Sequence, residues 1–213
     1  PGDEVITPAL TVFMDTSAIF HCGAIPVYAD IRSDSFNIDI ESVRKKITPK
    51  TKAIIGVSLY GLECNVEELK NIANEIDLYF IIDNAVYTGK HSGHITTYSF
   101  EDSKHISCGY GGMVITDDEF LATRMRKIGN HGFKNNIAGE CRTKLNAMES
   151  QCPFYKRHSS VGWNYRLSEF CSAVALGQLE TVDELVRQRR RIADMYRKIF
   201  EKHNDFSLQF SSD

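Results

Sequence analysis

A short segment in the middle of the sequence holds the residues that could do chemistry. Asp83 follows the apolar run Phe80-Ile81-Ile82, which predicts a carboxylate at the carboxyl end of a buried strand. Open α/β sheets bind their ligands just outside these strand ends. A partly buried carboxylate needs a cationic partner or good hydrogen bonds, and a protonated pyridine nitrogen is such a partner. An Asp that only caps the next turn fits the same position.

Lys104 is the second candidate, with Ser99 upstream of it and the stretch Gly109–Gly112 behind it. A lysine that forms an imine must lie where its amine can lose a proton. The serine and the glycines are typical of a loop that grips an anionic group. A solvated surface lysine is the ordinary alternative. The glycine stretch is a poor nucleotide fingerprint, because it lacks a third glycine and leads into a predicted strand. We interpret the neighbouring His105 and Cys108 as structural.

Two further segments carry polar side chains that suit anions. Trp163–Arg166 closes a polar stretch and leads into a helical pattern, so Asn164 and Arg166 could reach phosphate oxygens near a helix N-terminus. An N-cap with packed aromatic side chains is the alternative. His131, in a Gly-Asn-His-Gly segment, is either a binding residue or a turn residue.

Alternating strand-like and helix-like segments must position these residues. Strands are predicted at residues 24–28, 52–59, 78–82 and 112–116. Helices are predicted at residues 39–47, 65–76 and 117–128. The second helix has Asn65 and Glu68 in capping-box positions. Its inward residues are predicted to be Val66, Leu69, Ala73 and Ile76. This alternation indicates an α/β fold with a mostly parallel sheet.

The C-terminal part of the sequence follows a different pattern. Residues 134–160 are polar and aperiodic, and loops of that length are usually functional or disordered. From Ser168 the apolar spacing is helical, which predicts one long helix or two helices joined near Thr181.

Composition excludes several classes of protein. The net charge of -3 gives no electrostatic footprint for nucleic acid, and the basic run 187–191 is typical of a solvated helix face. No apolar stretch approaches the roughly 20 residues that span a bilayer, and no signal peptide opens the chain. The six cysteines are scattered without a C-x-x-C pair, which argues against a metal site and fits the cytoplasm.

The order of these features resembles the nucleotide-sugar aminotransferase family, in fold type I of the pyridoxal-phosphate enzymes, over nearly the whole chain. The landmarks are Pro1–Ala9, Phe36–Asp39, Thr48–Ile55, Leu59–Gly61, Asp83–Ala85, Ser99–Phe100, Ser103–Lys104, Gly109–Gly112, Asn130–Gly132 and Asn164–Arg166. The resemblance implies a three-layer large domain at residues 1–178 and a connecting helix at 179–213 that starts a small C-terminal domain.

The resemblance also implies a role for each matching residue. Lys104 would form the internal aldimine with pyridoxal 5'-phosphate and move the proton between substrate and cofactor carbons. Asp83 would hold the pyridine nitrogen protonated. Ser99 would bind the cofactor phosphate, and Asn164 the phosphate of the neighbouring subunit's cofactor in a homodimer with shared sites. The remaining candidates for substrate contact are Tyr60, His131, Tyr165 and Arg166.

The implied reaction moves an amino group from glutamate or glutamine onto a keto group of a nucleotide-linked deoxysugar. A general resemblance to perosamine-type enzymes favours carbon 4 over carbon 3 as the aminated position. Three other readings remain. A dehydratase branch on the same scaffold has histidine in place of the lysine, so Lys104 argues against it. A non-catalytic or regulatory relative keeps the fold without the reaction. A nicotinamide-binding Rossmann enzyme lacks its glycine fingerprint here.

The sequence departs from the family pattern at several points. Val86 stands where a polar residue commonly contacts the cofactor ring oxygen, a loss of about 1 kcal/mol for one hydrogen bond. The segment 89–99 is shorter than usual, and Tyr110 replaces a common acidic residue. The family's phosphate-binding cup lies upstream of Pro1, and most of the small domain lies beyond the last residue. We therefore expect truncation at both ends and a fragment that is inactive by itself.

Overall fold

The computed structural model describes residues 1–139, 151–203, 205 and 208–209. The chain forms two compact units, one built from residues 1–114 and 170–213 and the other from residues 115–169. The domain boundary expected after residue 178 stays a prediction. Across the residues that the structure describes, no helix combines the length and the apolar character that crossing a membrane requires.

Strands of the first unit form the sheet that carries the candidate site. The strands are Glu4–Pro8 (β1), Ile25–Ala29 (β2), Thr51–Val57 (β3), Tyr79–Asp83 (β4), Ile95–Ser99 (β5) and Gly112–Ile115 (β6). Their order in the sheet is β2-β1-β3-β4-β5-β6. The pairs β1–β2, β1–β3, β3–β4 and β4–β5 are parallel. The predicted mostly parallel sheet is therefore confirmed, and parallel strand ends meet at one edge of it.

Helices connect most of these strands. Those between strands are Phe13–His21 (α1), Ile40–Lys46 (α2) and Val66–Glu75 (α3), while Glu119–Gly129 (α4), Glu169–Leu179 (α5) and Val182–Phe200 (α6) follow β6. The last two confirm the prediction of two helices joined near Thr181, which is the N-cap of α6. Predicted strands and helices match the observed ones to within about two residues at most ends. The pattern did not predict β1, α1 or β5.

Apolar side chains cover both faces of the central strands. Ile54 and Phe80, neither with any exposed surface, belong to a large cluster with residues of α2 and α3. Ile55 and Ile81 point the other way, into a smaller cluster that contains Ile19 of α1. Burial on both faces explains why these strands have near-continuous apolar sequences.

The start of α3 follows its predicted cap. The Glu68 backbone N–H donates to Asn65 Oδ1 (3.3 Å), and Asn65 Nδ2 donates to Glu68 Oε2 (2.7 Å), so the Asn65 side chain bonds both the backbone and the side chain of Glu68. Leu69 and Ala73 are fully buried as predicted. The inward placement of Ile76 was wrong, because the helix ends at Glu75 and Ile76, as its C-cap, is 45% exposed.

Candidate active site

Asp83 lies at the carboxyl end of β4 between two parallel neighbours. It pairs with Val57 of β3 on one side and Thr97 of β5 on the other. Its carbonyl accepts from the Ser58 N–H (3.1 Å), and the next residue, Asn84, donates its N–H to the Thr97 carbonyl (2.9 Å). The backbone around Asp83 is therefore fixed on both sides, at the edge where such sheets bind ligands.

The Asp83 carboxylate is half-buried and bonded to neutral donors. Oδ1 accepts from the Ala85 N–H (2.8 Å) and from Thr97 Oγ1 (3.3 Å). The first bond shows that Asp83 does cap the following turn. Within the described part of the chain, no cationic side chain forms an ion pair with it. A partly buried carboxylate without a counter-charge is a suitable partner for a protonated ring nitrogen.

Lys104 lies in a closed loop that follows β5. The loop is tied at its base, where the Phe100 N–H donates to the Gly111 carbonyl (2.8 Å) and the Cys108 N–H to the Phe100 carbonyl (3.0 Å). A third bond, from the Lys104 N–H to the Glu101 carbonyl (3.1 Å), makes a turn that presents the lysine. The loop therefore positions Lys104 through its backbone and leaves the side chain available.

A small cavity of about 20 Å³ brings the two parts of the site together. It is lined by Asn84 and Ala85, directly after Asp83, and by Ser99 and Lys104. Ser99 ends β5, the strand beside β4, so its hydroxyl lies at the same edge of the sheet as Asp83. The structure thus brings Ser99 and Lys104 to one cavity, beside the strand end that carries Asp83, although Asp83 itself does not line the cavity.

A larger cavity, of about 410 Å³, is also lined by Lys104. Its lining includes Tyr60, Val86, His105 and Arg189. The pKa of His105 is lowered, first by burial and then by the positive charges of Arg189 and Lys104. Within the described part of the chain, neither of these two cations forms an ion pair. The cavity therefore has a positive potential that favours an anionic ligand.

Tyr60 enters this cavity from a strained turn. Its φ of 56° is in the left-handed region, which costs a non-glycine residue about 1–2 kcal/mol. The ring packs edge-on against Phe36, with 6.4 Å between the ring centroids. Such strain persists where the surrounding structure holds it, and it is concentrated at functional sites.

The Asn37 side chain fixes this turn through hydrogen bonds to its backbone. It is 4% exposed. Its Nδ2 donates to the Leu62 and Glu63 carbonyls (3.1 Å each), and its Oδ1 accepts from the Leu59 N–H (3.1 Å). In the sequence, Asn37 stands out only as part of a family landmark. Its contacts lie far away along the chain, so no local pattern reveals them.

Asn37→Ala should loosen the Tyr60 turn and destabilise the unit. The substitution leaves backbone groups of the turn without partners, at about 1–3 kcal/mol for each group that stays buried. Chemical denaturation gives the loss in free energy of unfolding. The exposed Asn71→Ala is the matched control and should change it by no more than about 0.5 kcal/mol. Equal stability of the two variants would contradict this role.

Asp15, which sequence analysis did not single out, lies against Asp83. It belongs to the first turn of α1, is only 8% exposed, and its carboxyl group is in hydrogen-bonding contact with that of Asp83. Burial, with a smaller effect from the Asp83 charge, raises the pKa of Asp15 to about 6. A single acidic residue among the apolar and small residues 12–20 is the signal that could have identified it.

The remaining predicted residues belong to the second unit, where three of them meet. Arg166 Nε donates to Asn164 Oδ1 (2.8 Å), and Arg166 Nη2 lies 3.4 Å from His131 Nε2. Tyr165 is 72% exposed, and its N–H donates to the Gly129 carbonyl (2.9 Å). Helix α5 begins only at Glu169, so Asn164 and Arg166 precede the helix and do not cap it. Part of the predicted long polar loop, residues 140–150, lies outside the described residues.

The chain is similar in sequence to known sugar aminotransferases. The model of the DegT/DnrJ/EryC1/StrS aminotransferase family matches residues 1–213. The chain is 34% identical over 206 residues to the GDP-perosamine synthase of Vibrio cholerae, covering 92% of this chain and 51% of that protein. The chain spans about half the length of the curated relatives it matches.

Solved structures agree with the fold. Helicobacter pylori PseC, an aminotransferase involved in the biosynthesis of pseudoaminic acid, superposes with a TM-score of 0.82 at 27% identity, covering 95% of this chain and 52% of that one. The E. coli GDP-4-keto-6-deoxy-D-mannose-3-dehydratase with bound hydrated PLP also gives 0.82 at 27% identity, covering 95% and 54%. The predicted fold type I architecture is confirmed.

Proposed function

Because the chain belongs to the DegT/DnrJ/EryC1/StrS family of nucleotide-sugar aminotransferases, we propose that it acts as a pyridoxal-phosphate-dependent transaminase. The amino group moves from glutamate or glutamine to a keto group of a nucleotide-linked deoxysugar. The observation that carries the proposal is the meeting of Lys104 and Ser99 in one cavity, beside the strand end that holds the Asp83 carboxylate.

The residues present fit pyridoxal phosphate. Among the described residues no cation pairs with Asp83, which would suit the ring nitrogen; Ser99 would offer a hydroxyl to the phosphate, and Lys104 would supply the amine for attachment. The bound cofactor supplies an electron sink for the carbon that loses a proton. The protein orients the ring through Asp83 and accepts and returns the proton through Lys104 Nζ. Proton transfer by a positioned side chain contributes about 10²–10⁴-fold to a reaction rate.

The positive cavity is the proposed site for the anionic parts of the substrates. Arg189 and Lys104 are its cations, and Tyr60 forms part of its wall. Amino donors carry carboxylates and nucleotide-linked sugars carry phosphates, so both kinds of substrate suit this potential.

A homodimer with shared active sites is part of the proposal. The support is the second unit's cluster of His131, Asn164 and Arg166, whose exposed amide and guanidinium are suited to phosphate oxygens. Asn164 would then reach the phosphate group bound by the neighbouring subunit. The proposed compartment is the cytoplasm, because the described cysteines are free thiols.

One observation favours a second candidate, a non-catalytic or regulatory relative. Val86 lines the cavity beside Lys104, where a polar residue is common in the family. By the resemblance, the residue at this position contacts the cofactor ring oxygen, so valine would remove one hydrogen bond, typically worth about 1 kcal/mol. That loss weakens the site without removing Lys104, Asp83 or Ser99, so we favour the enzyme.

Trapping the cofactor on the protein tests the proposal. The protein, expressed from its complete reading frame, is mixed with pyridoxal phosphate, reduced with borohydride and digested for mass spectrometry. We expect the pyridoxyl label on Lys104 and, without reduction, conversion of glutamate or glutamine to its keto acid on addition of cofactor and a nucleotide-linked keto-sugar. The variant Lys52→Ala, at an exposed lysine of β3, should be labelled equally. A protein that never takes up pyridoxal phosphate would sink the enzyme proposal.

A further inference from the structure

A buried carboxyl pair underlies the candidate cofactor site. Asp15, on helix α1, lies in hydrogen-bonding contact with Asp83, at the end of β4. Its Oδ2 accepts a hydrogen bond from Thr11 Oγ1 (2.6 Å), which fixes the carboxyl group from the side of α1. Asp83 is fixed in turn by Ala85 and Thr97. The two carboxyl groups therefore have little freedom to move apart.

Two carboxyl groups in contact resist carrying two negative charges. The surroundings together raise the pKa of Asp15 to about 6: burial raises it most, the Thr11 hydrogen bond lowers it, and the Asp83 charge raises it. Asp83 is the charged group that faces Asp15 from the sheet. Tyr28, on β2, contacts the neighbouring Thr16 (3.3 Å), and His21 lies at the other end of α1. Asp15 therefore gains and loses its proton near pH 6.

We propose that Asp15 is a positioning residue that acts through Asp83: its buried carboxyl group, held by Thr11, controls how strongly the Asp83 carboxylate binds a cation. This inference rests on the proposed function. When Asp15 is protonated, its O–H donates to the Asp83 carboxylate and satisfies it. When Asp15 loses that proton to solvent, the two carboxylates repel each other, and a cation beside Asp83 lowers the energy of the pair. A protonated ring nitrogen provides that cation.

The pair couples cofactor binding to pH. A cation at Asp83 stabilises the ionised form of Asp15, so binding releases the Asp15 proton. By linkage, the affinity for pyridoxal phosphate rises with pH until Asp15 is ionised in the free protein. The rise is about tenfold for each unit by which binding lowers the Asp15 pKa. In Asp15→Asn the amide keeps the shape and the donor to Asp83 but has no proton to release.

The first test compares the affinity of wild type and Asp15→Asn for pyridoxal phosphate between pH 5 and 7.5, measured by absorbance titration. The cofactor phosphate also titrates near pH 6, but it does so in both proteins and cancels in the ratio of affinities. We expect this ratio to rise about tenfold or more in favour of wild type over the range. A ratio that does not change with pH overturns the proposal.

The second test uses the protein without cofactor. The folded-state pKa of Asp15, about 6, lies above its unfolded value of 3.8. The stability it contributes is therefore fully present below pH 4 and is lost as the pH rises through 6. Asp15→Asn should lack this loss, and Asp83→Asn, which removes the facing charge, should reduce it. Identical pH profiles of stability in all three proteins overturn the proposed coupling between Asp15 and Asp83.

These outcomes separate the inference from the proposed function. If Lys104 is labelled by borohydride trapping and the affinity ratio is flat, only the role of Asp15 fails. If Lys104 is never labelled, the proposed function fails, and the role of the pair toward the cofactor fails with it.

Discussion

Replacing Lys104 with alanine is expected to abolish covalent attachment of pyridoxal phosphate and to lower the transamination rate by at least about 10²–10⁴-fold. The substitution removes both the amine that attaches the cofactor and the group that moves the proton. Asp83 and Ser99 remain, so weak non-covalent binding should persist. The measurements are the absorbance of the purified protein, the borohydride label and the rate of keto-acid formation.

The fold should not suffer from this change. The Lys104 side chain is half-buried, and within the described part of the chain it has no ion-pair partner. Its loop is held by backbone bonds at Phe100 and Cys108, which alanine keeps. The free energy of unfolding should change by no more than about 0.5 kcal/mol. A borohydride label that persists in Lys104→Ala would assign cofactor attachment to another lysine.

Local patterns were enough to predict most of the sheet. The run from Phe80 to Ile82 is continuous because both faces of β4 are covered, and it directly predicts where Asp83 lies. Strand β5 and helix α1 have no comparable apolar pattern in the sequence. In β5, Thr96 and Thr97 are polar yet lie inside the sheet, where Thr97 bonds Asp83. In α1 the large apolar residues Phe13, Met14 and Phe20 are exposed, and two of its three buried residues, Asp15 and Thr16, are polar, so apolar spacing does not reveal the buried face.

The candidate site divides in the same way. Asp83, Ser99 and Lys104 belong to one segment, so their order in the sequence was informative. Asp15 and Asn37 act on that segment from other elements, through contacts that only the folded chain creates. Arg189 enters the larger cavity from α6, although its basic run reads as a solvated helix face. The sequence alone does not reveal which residues from distant parts of the chain lie beside Asp83 and Lys104. Those neighbours determine the charge of the site and the orientation of its side chains.

Phe80→Ala should destabilise the first unit by about 3–5 kcal/mol, because the ring is completely buried and its removal leaves a cavity in the main core cluster. The matched control is Tyr79→Ala, in the same strand, since Tyr79 is 50% exposed and its ring meets only the edge of His94 among the aromatic contacts described. Chemical denaturation compares the two, and equal losses would contradict a core that depends on Phe80.

Because Phe80 leads through Ile82 to Asp83, the larger loss of stability in Phe80→Ala should also weaken binding of pyridoxal phosphate. A core defect that lowers stability while leaving cofactor affinity unchanged would show that the strand end is held by its backbone bonds to Ser58 and Thr97 alone.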